Sequence, residues 1–438
     1  MMQKGEGTLK KQQNHILIGC VADDFTGASD AASFLAGQGI RTLLFNGIPK
    51  DTEVILDCAA VVIALKTRSI PAEDAVRDTL EALKWLDSHH TEQFYIKYCS
   101  TFDSTPKGNI GPDIDAALEQ YGIPYTLLCP SLPVNKRIVK DGILIVDGRP
   151  VAEGHMAEHP LNPIWDSRIE KLMESQGKYP CMILGEEILS KPVEAVLAEV
   201  EAFGKDKEHF YIVPDYTTEE QGKKIVEIFG SNRLLTGGSG LLKHLADRCR
   251  ERYDCFCEEE IRSWTPGKGI ALCGSCSTAS GRQCRDYEKK HSAVVLYPSG
   301  LLEKTCTVDE VWEQVAANPD EEYLIYSAGA TDPKSRSYKS KEEAEKASAV
   351  LEKTMAELGR RAYNHGYTRI MVGGGETSGA VALALGFDGF IIGESIAPGV
   401  PVLVPLQDPE VRLALKSGNF GQDDFFEKAL FMTKQEER

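Results

Sequence analysis

The sequence lacks long apolar runs and dense clusters of cysteine. No apolar stretch reaches the roughly 18 residues of a membrane-spanning helix, so we expect no membrane partner. Residues 1–14 are polar and lack the apolar centre of a signal peptide, so we expect a disordered leader there and a cytoplasmic protein. The 12 cysteines are scattered over 438 residues, which is typical of reduced thiols and not of disulfide-rich secreted domains.

Blocks of positive charge are also lacking. The chain carries 49 Lys and Arg against 66 Asp and Glu, for a formal net charge of −17. This balance disfavours nucleic acid and anionic membranes as partners. Charges are screened beyond about 8 Å, so a local cluster of basic residues can still bind a small anion.

Two common nucleotide-binding motifs are missing. The P-loop pattern G-x-x-x-x-G-K-[ST] does not occur, which disfavours a P-loop NTPase. The segment GGSGLL (237–242) begins like a dinucleotide fingerprint, but Lys243 stands where the third glycine belongs. A dehydrogenase is therefore a weak alternative.

Short apolar runs alternate with helical patterns along most of the chain. The runs include HILIGCVA (15–22), TLLFNG (42–47) and RIMVGGG (369–375), and clear helical patterns cover residues 72–90 and 340–366. This alternation predicts an α/β fold with two domains, each with a largely parallel sheet flanked by helices.

One charged, weakly patterned stretch interrupts this alternation. It covers residues 246–268 and ends in Pro-Gly before a new apolar run. We expect it to link a first domain at 15–245 to a second domain at 269–438. Both lengths lie close to the usual range of domain sizes.

Two adjacent carboxylates, Asp23 and Asp24, follow directly after the first predicted strand. Ligands of open α/β sheets bind at the carboxyl ends of strands, which is where these side chains stand. One carboxylate could accept a proton from a substrate hydroxyl, or the two could hold a cation. Helix capping explains one such residue but not Asp-Asp followed by Thr26-Gly27.

A second polar segment, IKYCSTFDSTPKGNIG (96–111), also follows a predicted strand. Its lysine, hydroxyls and carboxylate suit a polyhydroxy anion, with Lys97, Ser100 and Asp103 as candidate contacts. A Ser/Thr-rich turn that satisfies its own backbone is an equal alternative.

Basic residues follow two other predicted strands, Lys66 and Arg68 after one and Arg137 after another. The planar fork of arginine suits a carboxylate. Most Lys and Arg side chains are simply solvated, so the placement raises the odds of a binding role only modestly.

The segment MVGGGETSGAV (371–381) is the strongest phosphate-binding signal. A predicted strand runs into three glycines, and Glu-Thr-Ser-Gly then opens a helix. Glycines let backbone N–H groups approach a phosphate, and a helix N-terminus favours negative charge. Further small-residue loops at 236–240, 272–277 and 417–421 argue against a turn without a ligand.

Closely spaced cysteines and histidines carry little weight as metal ligands. Incidental thiols are commoner, and Pro160 disfavours a helix at the histidine pair. We assign no metal ligands from them and keep His159 as a candidate substrate contact. The pairs are Cys255 with Cys257, Cys273 with Cys276, and His155 with His159.

Several segments, in this order along the chain, resemble the motifs of the four-carbon acid sugar kinase family. The resemblance spans about residues 16–430. It implies a first domain that binds the sugar acid and a second that binds ATP. The matching motifs are ADDFTG (22–27), STFDST (100–105), NIGP (109–112), GGETSGAV (374–381), PGVP (398–401) and LKSGNFG (415–421).

Within that family, ALKTRS (64–69), PVNKR (133–137) and HPLNP (159–163) look most like the branch that acts on 3-oxo-tetronate. The resemblance implies ATP-dependent phosphorylation of this acid at O4, with threonate and erythronate as alternatives. Two positions depart from the family pattern: Lys136 replaces a usual glycine, and Cys273 replaces a usual serine.

The resemblance also implies ATP and Mg²⁺ as cofactors, since phosphoryl transfer needs a metal to neutralise phosphate charge. From residue type and position we assign Asp24 as the base and Asp23 as its rival. The nucleotide contacts carried over by position are Ser275, Gly374, Gly375, Glu376, Thr377, Ser378 and Gly418. The candidate substrate contacts are Lys66, Arg68, Lys97, Ser100, Asp103, Arg137 and His159.

A non-enzymatic sugar-acid-binding protein remains as an alternative of another class. It would explain the first domain but leave the glycine-rich second domain without a role. The expected partners are a small sugar acid and ATP, and a homodimer is left open.

Overall fold

A computed structural model describes residues 16–50, 58–102, 105–154, 164–252, 261–332, 335, 338 and 340–435. The leader expected at residues 1–14 lies outside these ranges. So do five residues singled out above: Asp103, His155, His159, Cys255 and Cys257.

Strands and helices alternate along the described chain. The strands of the first half are β1 (Ile18–Ala22), β2 (Thr42–Asn46), β3 (Ala60–Ala64), β4 (Gln93–Lys97), β5 (Tyr125–Leu127), β6 (Arg137–Lys140), β7 (Ile143–Val146), β8 (Arg149–Pro150), β9 (Cys181–Leu184), β10 (Phe210–Pro214) and β11 (Leu234–Gly237). Those of the second half are β12 (Lys268–Cys273), β13 (Ala293–Leu296), β14 (Tyr323–Ser327), β15 (Tyr367–Gly373), β16 (Gly389–Ala397), β17 (Val400–Pro405) and β18 (Arg412–Lys416).

Helices cover the sheets. In the first half they are α1 (Phe25–Ala36), α2 (Ala72–Ser88), α3 (Ile110–Tyr121), α4 (Ile169–Glu174), α5 (Glu186–Leu189), α6 (Val193–Gly204), α7 (Glu219–Phe229) and α8 (Gly240–Arg252). In the second half they are α9 (Thr278–Glu288), α10 (Pro298–Glu303), α11 (Val308–Ala317), α12 (Lys341–Asn364), α13 (Gly375–Leu385) and α14 (Phe425–Met432). No helix among these is both long and apolar enough to cross a membrane.

The largest sheet has 12 strands in the order β11-β4-β1-β3-β2-β16-β17-β18-β15-β12-β14-β13. Its first five strands pair in parallel, and so do its last five. The α/β fold with two largely parallel blocks is therefore confirmed. The two blocks are not separate sheets, however, because β16 and β17 join them through antiparallel pairs.

Three antiparallel steps separate the two blocks, so their strands run in opposite directions. In a flat sheet their carboxyl ends would lie on opposite edges. The pairing of β16 with β17 shifts register on both sides of Ser395, and such bulges bend a strand and increase its twist. Helix α1 packs against β16, β17 and α13 of the second half.

The parallel strands are buried on both faces, as expected when helices cover a parallel sheet. On β1, Cys20 packs on one side of the sheet and Val21 on the other. Val62 and Ile63 of β3 divide in the same way. These near-continuous apolar runs explain why the strands could be predicted from the sequence.

An insertion between β4 and β11 adds two small sheets to the first half. One is parallel, with the order β5-β10-β9, and the other is antiparallel, with the order β6-β7-β8. The antiparallel sheet carries Arg137 at the first position of β6. The stretch expected as a linker, 246–268, begins within α8 and ends at the first residue of β12.

Candidate active site

Asp23 and Asp24 lie between β1 and α1, at the carboxyl end of a central strand. Asp24 is the N-cap of α1, and its carboxylate accepts a hydrogen bond from the Gly27 N–H. Capping and a chemical role are therefore compatible, since the second carboxylate oxygen is not used by the cap. That oxygen instead accepts from Arg68, as described next.

Arg68, from the loop after β3, holds both carboxylates. Its Nε and Nη2 donate to Asp23 at 2.9 and 2.8 Å, and its Nη1 lies 2.6 Å from Oδ2 of Asp24. Burial opposes ionisation of Asp24, but the charges of Arg68 and Lys97 outweigh it, so the pKa of Asp24 lies below its ordinary value. The arginine fork predicted for a substrate carboxylate is occupied by the protein's own acids.

Lys97, the last residue of β4, is buried beneath the first turn of α1. Its ammonium donates to the carbonyl oxygen of Tyr98 at 3.1 Å and lies 3.8 Å from Oδ2 of Asp30. Ser239 donates to the same Asp30 oxygen, while Oδ1 of Asp30 has no partner among the described residues. Burial raises the pKa of Asp30, and Lys97 opposes the shift.

Arg137 approaches this cluster from the antiparallel insertion, since its charge acts on Asp30. Its Nη1 donates to the carbonyl oxygen of Asn135, whereas its buried Nε has no partner within the described chain. Because the charges of Arg137 and Lys97 both act on Asp30, the two cations lie in one charged cluster, which is suited to an anion. Sequence analysis named Arg137 and Lys97 but not Asp30 or Ser239.

The other predicted substrate contacts are more dispersed. Lys66 lies against the second half, because a Cβ on Gly379 would be 3.8 Å from its Cε. Ser100 lies beside Gly238, whose Cβ would be 3.4 Å from that of Ser100. Asp103 and His159 fall outside the described residues.

In the second half, β15 leads into a tight glycine turn. Gly374 has φ +116°, a conformation that side chains other than glycine rarely adopt, and α13 begins at the next residue. A Cβ on Gly374 would lie 3.1 Å from the backbone nitrogen of Ser275. The glycine therefore allows the loops after β12 and β15 to approach each other.

The loop after β18 completes this cradle. The carbonyl oxygen of Gly418 accepts from Ser277 at 2.6 Å, from Ser280 at 2.9 Å and from Lys416 at 3.1 Å. Lys416 is fully buried, and burial lowers its pKa. Sequence analysis gave Lys416 no role of its own, although a lysine inside an apolar strand was a usable signal.

The remaining predicted nucleotide contacts surround the same cradle. A Cβ on Gly418 would lie 2.7 Å from Oγ of Ser275. Thr377 and Ser378 are buried in the first turns of α13, and the Ser378 hydroxyl has no partner within the described residues. Glu376 is exposed in the first turn of the helix.

The two halves of the site face each other. A Cβ on Gly375 would lie 3.7 Å from Oγ1 of Thr26, so the N-termini of α13 and α1 converge. Phe25 of α1 stacks edge-to-face on Phe390 of β16 at 5.8 Å between ring centroids. Helix N-termini carry partial positive charge and favour anions. The arrangement suits a phosphate located between the glycine cradle and Asp24.

Comparison with known proteins agrees with this division of the site. A family model described as a sugar-binding N-terminal domain matches residues 18–245, and one described as a nucleotide-binding C-terminal domain matches residues 270–426. Together they cover most of the chain. The chain therefore belongs to the four-carbon acid sugar kinase family, and the resemblance seen in the sequence is confirmed.

Individual relatives make the class more specific. A 3-oxo-tetronate kinase from Brucella melitensis is 39% identical over 425 residues, which is 96% of this chain and 96% of the relative. One from Haemophilus influenzae is 37% identical and covers 94% of this chain and 99% of its own. These relatives are therefore phosphotransferases that use an alcohol group as the acceptor.

Solved structures agree with the fold. A protein from Salmonella typhimurium LT2, described as a putative tRNA synthase, superposes with a TM-score of 0.82 at 37% identity, covering 94% of this chain and 98% of its own. A Haemophilus influenzae protein gives 0.74 at 36% identity, with 94% and 99% covered.

Proposed function

We propose that this protein is an ATP-dependent kinase that phosphorylates O4 of 3-oxo-tetronate. The observation that carries the proposal is the approach of Gly375 to Thr26, with 3.7 Å between a Cβ on the former and Oγ1 of the latter. It brings a phosphate-binding loop to the carboxylates of the first half. The choice of acid is supported by full-length relatives named 3-oxo-tetronate kinase.

Asp24 is the base in this proposal. Its side chain is 28% exposed, against 13% for Asp23, and Asp23 is held by two hydrogen bonds from Arg68. An ionised Asp24 accepts the O4 proton while O4 attacks the γ-phosphorus and the bond to the β–γ bridging oxygen breaks. Arg68 keeps both carboxylates charged and oriented, so we assign it to positioning.

The substrate carboxylate is then left to Arg137 and Lys97. The buried Nε of Arg137 has no partner among the described residues, and buried Lys97 supplies a second positive charge to the same cluster. Hydrogen bonds between charged groups are stronger than neutral ones and are suited to orienting a small acid.

The ATP phosphates are assigned to the cradle of Gly374, Gly375 and Gly418. A side chain at Gly375 would fill space that backbone N–H groups need near a phosphate, whereas one at Gly374 or Gly418 would crowd Ser275 of the neighbouring loop. For Mg²⁺, the described residues offer no group of three metal-ligating side chains. Mg²⁺ usually keeps several waters and is bound by phosphates plus one or two carboxylates, and Glu376 is the carboxylate beside the cradle. When bound, the ion neutralises phosphate charge.

The proposal is tested by incubating the purified chain with ATP and a panel of 3-oxo-tetronate, threonate and erythronate. We expect 3-oxo-tetronate to give the highest rate of ADP release and a 4-phosphate product by ³¹P NMR. A higher kcat/KM for threonate or erythronate would reassign the substrate. Binding of the acid without ADP release would favour the non-enzymatic alternative. A cytoplasmic location and a homodimer stay predictions.

A further inference from the structure

A narrow cleft lies behind Asp23 in the first half. The carboxyl ends of β1 and β4 and the N-terminus of α3 enclose it. Arg68 and Lys97 form part of its wall, so the cleft is continuous with the site described above. Asn109 and Asp113, on the opposite wall, have no role in the proposed chemistry.

These two residues each present an unsatisfied oxygen. Asn109 and Asp113 are only 5% and 6% exposed, yet Oδ1 of each has no partner among the described residues. Buried side-chain oxygens are nearly always hydrogen-bonded, and leaving one unpaired costs about 1–3 kcal/mol. Two such oxygens lining one cleft indicate that something polar binds there.

The rest of each side chain is already fixed. The Asn109 amide donates to the carbonyl oxygens of Thr67 and Ile70 at 2.5 and 2.9 Å, which orients its Oδ1. Asp113 accepts a hydrogen bond from Thr79. Burial raises the pKa of Asp113 to about 8 against that hydrogen bond, so at neutral pH the carboxyl holds a proton and can donate as well as accept.

We propose that this cleft binds the oxygens at C2 and C3 of the sugar acid, with Asn109 and Asp113 as their hydrogen-bonding partners. The inference rests on the proposed function, because the carboxylate and O4 are already assigned to Arg137, Lys97 and Asp24. The two middle oxygens are what distinguishes a four-carbon sugar acid from a simple hydroxybutanoate. Asn109 and Asp113 are therefore specificity residues.

The test compares the preferred sugar acid with 4-hydroxybutanoate, which keeps the carboxylate and O4 but lacks both middle oxygens. We expect the wild-type enzyme to prefer the sugar acid by about 10²-fold or more in kcat/KM, since sites built to bind a hydroxyl reject analogues without it. Asp113→Ala should lower kcat/KM for the sugar acid by about tenfold or more and leave that for 4-hydroxybutanoate nearly unchanged.

Asp115→Ala is the matched control. Asp115 is a buried carboxylate on the same helix, but it is bonded to the Tyr211 hydroxyl and the Lys178 N–H and does not line the cleft. It should leave the preference between the two acids unchanged. Melting temperatures of both variants report whether α3 still folds.

Equal losses for both acids in Asp113→Ala would overturn the inference, because they would mean a structural role. Equal kcat/KM of the wild-type enzyme for the sugar acid and 4-hydroxybutanoate would also overturn it, because the two oxygens would then bind only ordered water. Calorimetric Kd values separate this result from the proposed function. If Asp113 governs binding of a sugar acid that is never phosphorylated, the inference is supported and the kinase proposal fails.

Discussion

The two halves of the candidate site offer an anion different kinds of partner. The first half uses charged side chains that pair with one another, as Arg68 does with Asp23 and Asp24. The second half uses backbone, hydroxyls and glycine, and the buried lysine of its cradle, Lys416, is tied to a loop carbonyl. Side chains at fixed positions can select one small acid, whereas a backbone cradle binds the phosphate common to all its ligands. We therefore expect specificity to reside in the first half.

Removing the ionised carboxylate should have the largest effect. Asp24→Asn should lower kcat by about 10²–10⁴, the usual contribution of a general base, while the Kd of the acid changes little. ADP-release kinetics and calorimetry measure the two quantities. Asp23→Asn is the comparison variant. If it loses turnover while Asp24→Asn keeps it, the two roles must be exchanged.

Filling the cradle tests the second half. Only Thr26 lies near a Cβ on Gly375, so Gly375→Val should fold and place its side chain where we assign phosphate. We expect ADP to bind about 5–160-fold more weakly, the range that overpacking by about 1–3 kcal/mol produces. Gly379→Val, one turn later on α13, should bind ADP normally. If Gly375→Val binds ADP normally, the assignment of the ATP phosphates to this loop is wrong.

The two arginines should separate affinity from turnover. Arg137→Gln should raise the Kd of the acid about tenfold through loss of a charged hydrogen bond, with kcat nearly unchanged. Arg68→Gln should mainly lower kcat, because it releases Asp23 and Asp24. Steady-state kinetics with calorimetry distinguish these outcomes. An unchanged Kd in Arg137→Gln would mean that another residue binds the substrate carboxylate.

A smaller effect concerns pH and stability. The pKa of Asp113 is raised to about 8 from an ordinary value of 3.8, so between these limits the unfolded chain is ionised while the folded chain retains the proton. The contribution of Asp113 to stability therefore falls as pH rises from about 4 and levels off above about 8. Asparagine does not ionise, so the stability of Asp113→Asn should not fall with pH in this way.

The measurement is the difference in Tm between Asp113→Asn and wild type across this pH range. The Tm of the variant should rise relative to that of wild type from pH 5 to pH 8. The expected rise is about 2–4 °C for each kcal/mol of unfolding free energy that wild type loses. A constant difference would show that Asp113 is already ionised in the folded protein.

Much of the fold could be predicted because its signals are local. Buried parallel strands are continuous apolar runs, and the glycine turn at residues 373–375 is apparent from composition. That the two parallel blocks form one sheet was not predictable from the sequence. The joining strands β2 and β16 lie far apart along the chain, and nothing in either segment identifies the other as its partner.

The site was predictable in its residue types but less so in its pairings. Asp24 and Arg137 were proposed because they follow predicted strands, and their roles stay predictions. That Arg68 binds the protein's own carboxylates depends on the loops after β1 and β3 meeting, which spacing along the chain does not reveal. The unpaired oxygens of Asn109 and Asp113 become visible only once every neighbour is in place.

The joint between the two halves has a consequence for how the chain emerges from the ribosome. β2 is complete early, yet β16, which covers its outer edge, is made only near the end of synthesis. At about 5–20 residues per second, that edge waits for roughly 20–70 s. During this interval an apolar strand with unpaired N–H and C=O groups is a template for aggregation. Newly made first halves should therefore depend on chaperones until the hairpin of β16 and β17 arrives.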